Sequence, residues 1–478
     1  MELLEQILEY VIAGAYWYLV IASIAVVLLE NKKPVRTVAW VLLLLFLPYF
    51  GLLLYVVFGR SFKRQSRLTR KMRMQMVNDI ELALQHRNEG QNNPLLEQHS
   101  TLTRLLSRTA HAPVFANNNV DIYTDGKKLL DDMLADIEHA KHHIHAEYYI
   151  IESDETGEAF KNALIKKAKE GIEVRLIYDD LGSWHLKRST INEMRKAGIK
   201  LRTFFKIRFP YFTTKLNYRN HRKIVVVDGH IGYLGGFNVA DRYTKGLDWG
   251  IWRDTHIRIE GNGVIGLQSI FQTDWLYMSK KFFSGNKYFP VSSKESNTCL
   301  QIVGSGPDRD WETIMQGYLH AIMHAKKNVY IQTPYFLPNE SIANAIEMAA
   351  LRGVDVRLMI PFRSDERIAF EASLSYMKNI LKSGVKVLQY HKGFIHSKTM
   401  VIDDELSIVG TANMDLRSFE QNFEVSAFIY DKQKAEELTK IFLRDARSCK
   451  KLTLRKWEQR PLYKKIIQSL ARLLSPAL

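Results

Sequence analysis

The chain has 478 residues, 46% of them hydrophobic, with 67 lysines and arginines against 51 aspartates and glutamates. That length and apolar content exclude both a single small core and a disordered polyelectrolyte, and two cysteines, Cys299 and Cys449, exclude a disulfide scaffold and fit a reducing compartment. The net charge of +16 calls for an anionic partner, without separating a lipid surface from nucleic acid.

The first 60 residues favour the lipid surface. Residues 10–29 carry no formal charge and are long enough to cross a hydrocarbon core. A short turn containing Lys32, Lys33 and Arg36 leads to a second apolar run, 38–58, interrupted only by Pro48 and Gly51, so residues 1–60 are predicted to form a two-helix transmembrane hairpin. Glu2, Glu5 and Glu9 precede the first run where a cleaved signal would be basic. Arg60, Lys63, Arg64, Arg67, Arg70, Lys71 and Arg73 outnumber the basic residues of the turn, which predicts a cytoplasmic location for everything after residue 60. Residues 61–110 read as a basic juxtamembrane linker, serving topology or contact with anionic lipid.

From about residue 110 the chain alternates short β-rich runs with helical stretches, and its halves repeat the same order. His139-Ala-Lys141 recurs as His324-Ala-Lys326, residues 171–177 (GIEVRLI) as 353–359 (GVDVRLM), and 197–201 (AGIKL) as 383–387 (SGVKV), at offsets of 185, 182 and 186 residues. The near-constant offset predicts one α/β fold used twice, over 111–290 and 291–450, each copy a mixed sheet flanked by helices and related to the other by a pseudo-twofold axis. The first copy carries an insertion at 206–220, rich in Arg, Lys, Tyr and Phe, suited to border a lipid entrance, and an aromatic segment at 271–290 suited to pack between domains.

Both copies then reach His-x-Lys-x4-Asp: His221, Lys223 and Asp228, then His396, Lys398 and Asp403. Residues 235–238 (GGFN) and 410–413 (GTAN) follow at the same spacing. Within each motif the His and Lys are two apart in a β-rich segment, which predicts one imidazole and one ammonium on the same face. Pairing the copies would gather two of each around one pocket suited to a phosphodiester. One histidine attacks phosphorus and the other supplies the leaving group's proton. Lys223, Lys398 and the amides of Asn238 and Asn413 would bind the phosphoryl oxygens, with no metal and no cofactor required. Each histidine needs an acceptor on its other nitrogen, and Asp254 and Glu424, in the next β-like segments, are the candidates. Asp228 and Asp403 complete the motif from the far end of the strand, where turn or ion-pair duty suits them.

On these residues the chain resembles the phospholipase D superfamily over roughly 110–450. The hairpin and residues 220–223 (NHRK), 252–255 (WRDT), 332–336 (QTPYF) and 413–418 (NMDLRS) resemble the bacterial cardiolipin synthases. The resemblance implies transfer between two phosphatidylglycerol molecules to give cardiolipin and glycerol, with His221 forming the phosphohistidine and His396 shuttling the proton. The residues alone do not break that symmetry, nor do they separate a synthase from a hydrolase or from other head-group acceptors.

Weaker signals remain. Gly261, Gly263 and Gly266 fit Gly-x-Gly-x-x-Gly, but no βαβ unit or downstream acid follows. His143, His145 and Glu147 share a strand face without a further zinc ligand. Residues 461–474, within a basic amphipathic segment at 451–478, suit either an interfacial helix or packing on the second domain. A nuclease would share the motifs and the charge; the hairpin argues against a nucleic-acid partner, and a homo-oligomer is left open.

Overall fold

A computed structural model describes residues 2–29, 34–55, 93–206, 217–283, 285, 287–290 and 296–475. The basic run at 60–73 and most of the 206–220 insertion lie outside the described residues. At the N-terminal end, one helix spans Glu2–Leu29, and it alone among the described residues is long and apolar enough to cross a membrane. The expected second span is broken. Helix Pro34–Phe46 ends at Leu47 (φ −134°, ψ 62°) and helix Pro48–Leu54 restarts beyond it, because a proline has no N–H to give to the ladder and disfavours the helical region for the residue before it. The ten-residue apolar stretch Thr37–Phe46 rises only about 15 Å. Val27, Leu44 and Tyr55 nonetheless cluster, and the Trp40 and Tyr55 rings meet edge to face at 5.3 Å.

The repeat folds as a repeat. The first copy contributes β1 (Phe115–Tyr123), β2 (His143–Tyr148), β3 (Glu173–Asp179), β4 (Lys200–Phe204), β5 (Ile224–Val227), β6 (Ile231–Gly235), β7 (Ile251–Arg253) and β8 (His256–Gly261). The second contributes β9 (Thr298–Ser305), β10 (Asn328–Gln332), β11 (Phe336–Leu337), β12 (Asp355–Pro361), β13 (Lys386–Tyr390), β14 (Gly393–Ile395), β15 (Thr399–Ile402), β16 (Leu406–Gly410), β17 (Met414–Asp415), β18 (Glu424–Tyr430) and β19 (Cys449–Leu452). One 15-stranded sheet runs β19-β13-β12-β10-β15-β16-β18-β9-β1-β8-β6-β5-β2-β3-β4. Read outward from the antiparallel β1–β9 seam, the order is the same on both sides, with β19 added at one edge. This is a mixed α/β sheet with pseudo-twofold symmetry.

Helices cover its faces, and side-chain oxygens of Asp125, Asp154, Asn339 and Asp431 cap four of them by accepting from backbone N–H groups of the first turn. One apolar cluster belongs mainly to each copy. A third is shared, mixing Val226, Ile259 and Ile265 with Leu300, Val401, Val409 and Phe442. Burying that third core is what makes two copies one body. The aromatic segment does something other than separate the copies: Phe271 stacks on His145 at 4.6 Å, and Phe283 takes the Arg175 guanidinium at 4.2 Å, both inside the first copy.

Asp228 and Asp403 close the turns after β5 and β15 in the left-handed region, at φ 53° and 55°. Asp228 accepts from the backbone N–H groups of Lys141, His142 and His143 at 2.7–2.9 Å. Asp403 does the same for Lys326, Lys327 and Asn328. Each ties its turn to the start of β2 or β10, with its carboxylate engaged by backbone and not aimed at the histidines.

Candidate active site

The two motif histidines stand just outside the strands expected to hold them. Residues 221–223 and 396–398 belong to no regular strand and precede β5 and β15, because there the chain pairs with the opposite copy. His221 donates its N–H to the Phe423 carbonyl at 2.9 Å, and Phe423 donates to Arg219 at 2.9 Å. In the other half β14 runs parallel to β7, and His396 donates to the Arg253 carbonyl at 2.7 Å. Each histidine is thereby laid beside the segment that carries the other copy's acid.

The acids therefore pair crosswise. His221 Nδ1 lies 3.0 Å from both carboxylate oxygens of Glu424, and His396 Nδ1 lies 2.5 Å from Asp254 Oδ2. With Nδ1–H donated to a carboxylate, Nε2 of each ring keeps its lone pair. Thr411 Oγ1 holds Glu424 from behind at 2.5 Å, and the Thr255 N–H holds Asp254 at 2.8 Å. Gly236, the counterpart of Thr411, has no side chain because Asp254 fills the space a Cβ would need.

Burial governs the protonation states. It pushes both imidazoles down to about 4, against the opposing pull of Glu424 on His221 and of Asp254 on His396, while Lys398 reinforces it at His396. Burial also raises the two carboxyls, but Lys398 and His396 outweigh it at Asp254, as His221 and Lys223 do at Glu424, so both stay below the usual carboxylate range. The ammonium groups are affected most usefully: burial brings Lys223 down to about 7 and Lys398 to about 8. Lys223 donates to the His221 carbonyl at 2.6 Å; Lys398 reaches the His396 carbonyl and approaches its Nδ1 at 2.8 Å. The cations of the two copies repel one another across the centre, as expected of a site waiting for an anion.

The two asparagines are not equivalent. Asn238 accepts from the Ile150 N–H at 3.1 Å and donates to the Tyr243 hydroxyl at 2.7 Å, so both ends of its amide are already held. Asn413 bonds through its side chain to Asp415 and carries a buried Oδ1 without a hydrogen-bond partner. Two buried arginine–aspartate pairs carry no sequence signal of their own. Arg222 pairs with Asp274, Arg253 pairs with Asp445 at 2.7 Å and also bonds Ser397 at 3.0 Å. Their acids sit on helices Val264–Ser279 and Lys432–Ala446, which occupy equivalent places in the two copies. Both arginines come from the first copy, one from His221-Arg222-Lys223 and one from Trp252-Arg253-Asp254, and each backs the strand pairing that sets a histidine. His143, His145 and Glu147 lie apart from this centre in function: His145 bonds Gln268 and Arg175, and Glu147 accepts from Asn220.

A duplicated sheet with paired histidine–carboxylate and lysine groups at its pseudo-twofold centre is the architecture of a phospholipase D-type fold. The family model described as "Cardiolipin synthase, PLD-like domain" matches residues 133–257 and 318–446, and one described as phospholipase D-nuclease N-terminal matches 19–60. A cardiolipin synthase of Staphylococcus aureus is 41% identical over 480 residues, covering 99% of this chain and 97% of its own. One of Geobacillus kaustophilus is 40% identical over 456 residues, covering 95% and 91%. The crystal structure of a phosphatidylserine synthase from Haemophilus influenzae superimposes with a TM-score of 0.61 at 14% identity, over 79% of this chain and all of that one, a likeness of fold. The chain belongs to the cardiolipin synthase family of phospholipase D-like enzymes, and its long apolar helix fits that family's association with membranes.

Proposed function

We propose that the chain joins two phosphatidylglycerol molecules into cardiolipin and releases glycerol. The observation that carries this is the convergence of two buried histidines, each on a carboxylate from the other copy, with two low-pKa lysines. His221 Nε2 attacks the phosphorus of the first lipid while His396 delivers a proton to the departing glycerol oxygen. His396, now neutral, takes the proton from a glycerol hydroxyl of the second lipid, whose oxygen attacks the phosphohistidine and frees His221. One phosphodiester bond is broken and one made, so no energy-rich cofactor enters.

Two features support giving His221 the covalent role. Both oxygens of Glu424 face its Nδ1, where phosphorylation leaves a positive ring. Lys398 sits 2.8 Å from the His396 ring nitrogen, where its charge favours release of the ring's proton, whereas Lys223 reaches only the His221 carbonyl. Both imidazoles are neutral in the empty site; the lipid phosphate brings the negative charge that lets His396 take up its proton. Lys223 and Lys398 neutralise the phosphoryl oxygens as charge builds on them, with Asn413 better placed than Asn238 to add a contact.

The charge asymmetry about residue 60 supports placing the catalytic copies on the cytoplasmic side of the plasma membrane. Purified protein in phosphatidylglycerol vesicles, with products read by mass spectrometry, tests the reaction. Cardiolipin and glycerol in equal amounts are expected; phosphatidic acid alone would make the enzyme a hydrolase.

A further inference from the structure

Helix Leu462–Leu473 is seated with its polar side inward. Gln468, 2% exposed, donates to Glu371 at 3.0 Å and accepts from Arg460 at 2.6 Å. Ala471 packs with Leu337 and Ala372, and the Arg472 guanidinium lies 4.5 Å over the Tyr376 ring. These contacts fix the helix against helix Arg367–Ser375 and decide which way the rest of it points.

What points outward is apolar. Leu462 is 71% exposed, Ile466 52%, Leu470 59% and Leu473 75%, with Tyr463, Ile467 and Leu474 also open. At about 100° per residue these seven side chains fill one arc of about 140°, with Lys464 beyond one edge and Lys465 beyond the other. A soluble domain that merely needed another helix would turn that arc into its core. Here the arc is turned away, and the attachment is made by a glutamine, an alanine and an arginine instead. From 451 to 478 the chain carries seven basic residues (Lys451, Arg455, Lys456, Arg460, Lys464, Lys465, Arg472) against one acid, Glu458. An apolar arc edged by lysines, in a strongly basic segment, is complementary to an anionic bilayer surface, which offers hydrocarbon below and negative charge at the headgroups. A second protein copy would bring the same positive charge to meet it. The candidate span Glu2–Leu29 keeps a bilayer at high local concentration, so this helix needs only modest affinity of its own.

We propose that helix Leu462–Leu473 is a membrane-docking element that lies in the plane of an anionic bilayer and buries its apolar arc at the headgroup boundary. The inference concerns how the folded copies meet the lipid surface and does not depend on the chemistry proposed for the histidines. The test uses the full chain with Cys449→Ser and Leu473→Cys, leaving Cys299 buried, and an environment-sensitive fluorophore on the new thiol. After reconstitution into phosphatidylcholine vesicles containing phosphatidylglycerol, the label should shift to the blue and be quenched by lipids carrying a nitroxide near the headgroup. Adding Ile466→Gln and Leu470→Gln should abolish the quenching while turnover of a short-chain, monomeric phosphatidylglycerol is unchanged. A label that nitroxide lipids never reach overturns the proposal. So does a blue shift that appears without lipid quenching and grows with protein concentration, since a second copy would then cover the face.

Discussion

The crosswise pairing of acids and histidines makes an unusual demand on mutants: damage to the second copy's acid should be read at the first copy's histidine. Glu424→Gln keeps the shape and a hydrogen-bonding oxygen but removes the charge that faces His221 Nδ1 at 3.0 Å from two oxygens. With charge centres about 4 Å apart and an effective dielectric constant of about 20, that charge is worth up to about 4 kcal/mol to a positive ring. Retaining the hydrogen bond leaves a loss of about 2 to 4 kcal/mol, or about 30- to 1000-fold in the rate of forming the phosphohistidine. A phosphatidyl ester of p-nitrophenol isolates that step, because its leaving group needs little protonation. In a rapid-quench experiment the burst of p-nitrophenolate and the acid-labile adduct on His221 should slow together in Glu424→Gln. Asp254→Asn, which touches His396, should form the adduct at nearly the wild-type rate and then fail to release it to a lipid acceptor. If the two variants exchange behaviours, His396 is the nucleophile. If Glu424→Gln slows the burst by less than about threefold, the carboxylate does not stabilise the charged ring.

Three further outcomes are expected. Asp403→Ala removes the acceptor of three backbone N–H groups at a left-handed residue and should destabilise the fold by about 3 kcal/mol or more, seen as a lowered unfolding temperature, while the enzyme that remains folded keeps its kcat and KM; a folded but inactive variant would return Asp403 to the chemistry. The profile of kcat/KM against pH should fall on the acid side below about 4, where His221 loses its lone pair, decline above it as the proton His396 must take up becomes scarcer, and steepen between about 7 and 8 as Lys223 and Lys398 lose the charge that burial has made labile. Replacing both lysines by arginine, which does not titrate there, should remove the added steepness above about 7 from whatever activity remains. Treatment with EDTA in detergent micelles should leave turnover essentially intact; a loss of more than about 90% restored by one metal would put a metal ion in the role given to the lysines.

The duplication and the residues of the candidate site were legible in the sequence because they are local: His-x-Lys-x4-Asp, the offset of about 185 residues and the downstream Asp254 and Glu424 need no tertiary knowledge. Which acid meets which histidine was not legible. That choice is made by β7 lying on β14 and by Phe423 lying on Arg219 and His221, contacts between residues some 140 to 200 positions apart. The same contacts explain why the His–Lys pairs sit ahead of their strands: residues that must pair with the other copy cannot also join the ladder of β5 or β15. Pro48 was visible, but its consequence depended on whether neighbours would carry the helix through it, and here Leu47 breaks instead. The arginine–aspartate pairs left no signal, since Arg222 and Arg253 occupy different motifs although they serve matching positions.

The seam at β1–β9 and the exchanged acids give the duplicated chain the logic of a dimer written into one polypeptide. Neither half owns a complete histidine–acid pair, so each is a cofactor-like subunit for the other. On the proposed mechanism His221 with Glu424 and His396 with Asp254 would each be one unit in genetic terms, straddling the repeat boundary. Two inactive chains, one altered at both members of the first copy's motif and one at both members of the second's, could regain activity only by trading whole copies. Substitutions that drift through one repeat are therefore judged by the geometry of the other, which ties the two sequences together far more tightly than their shared origin alone.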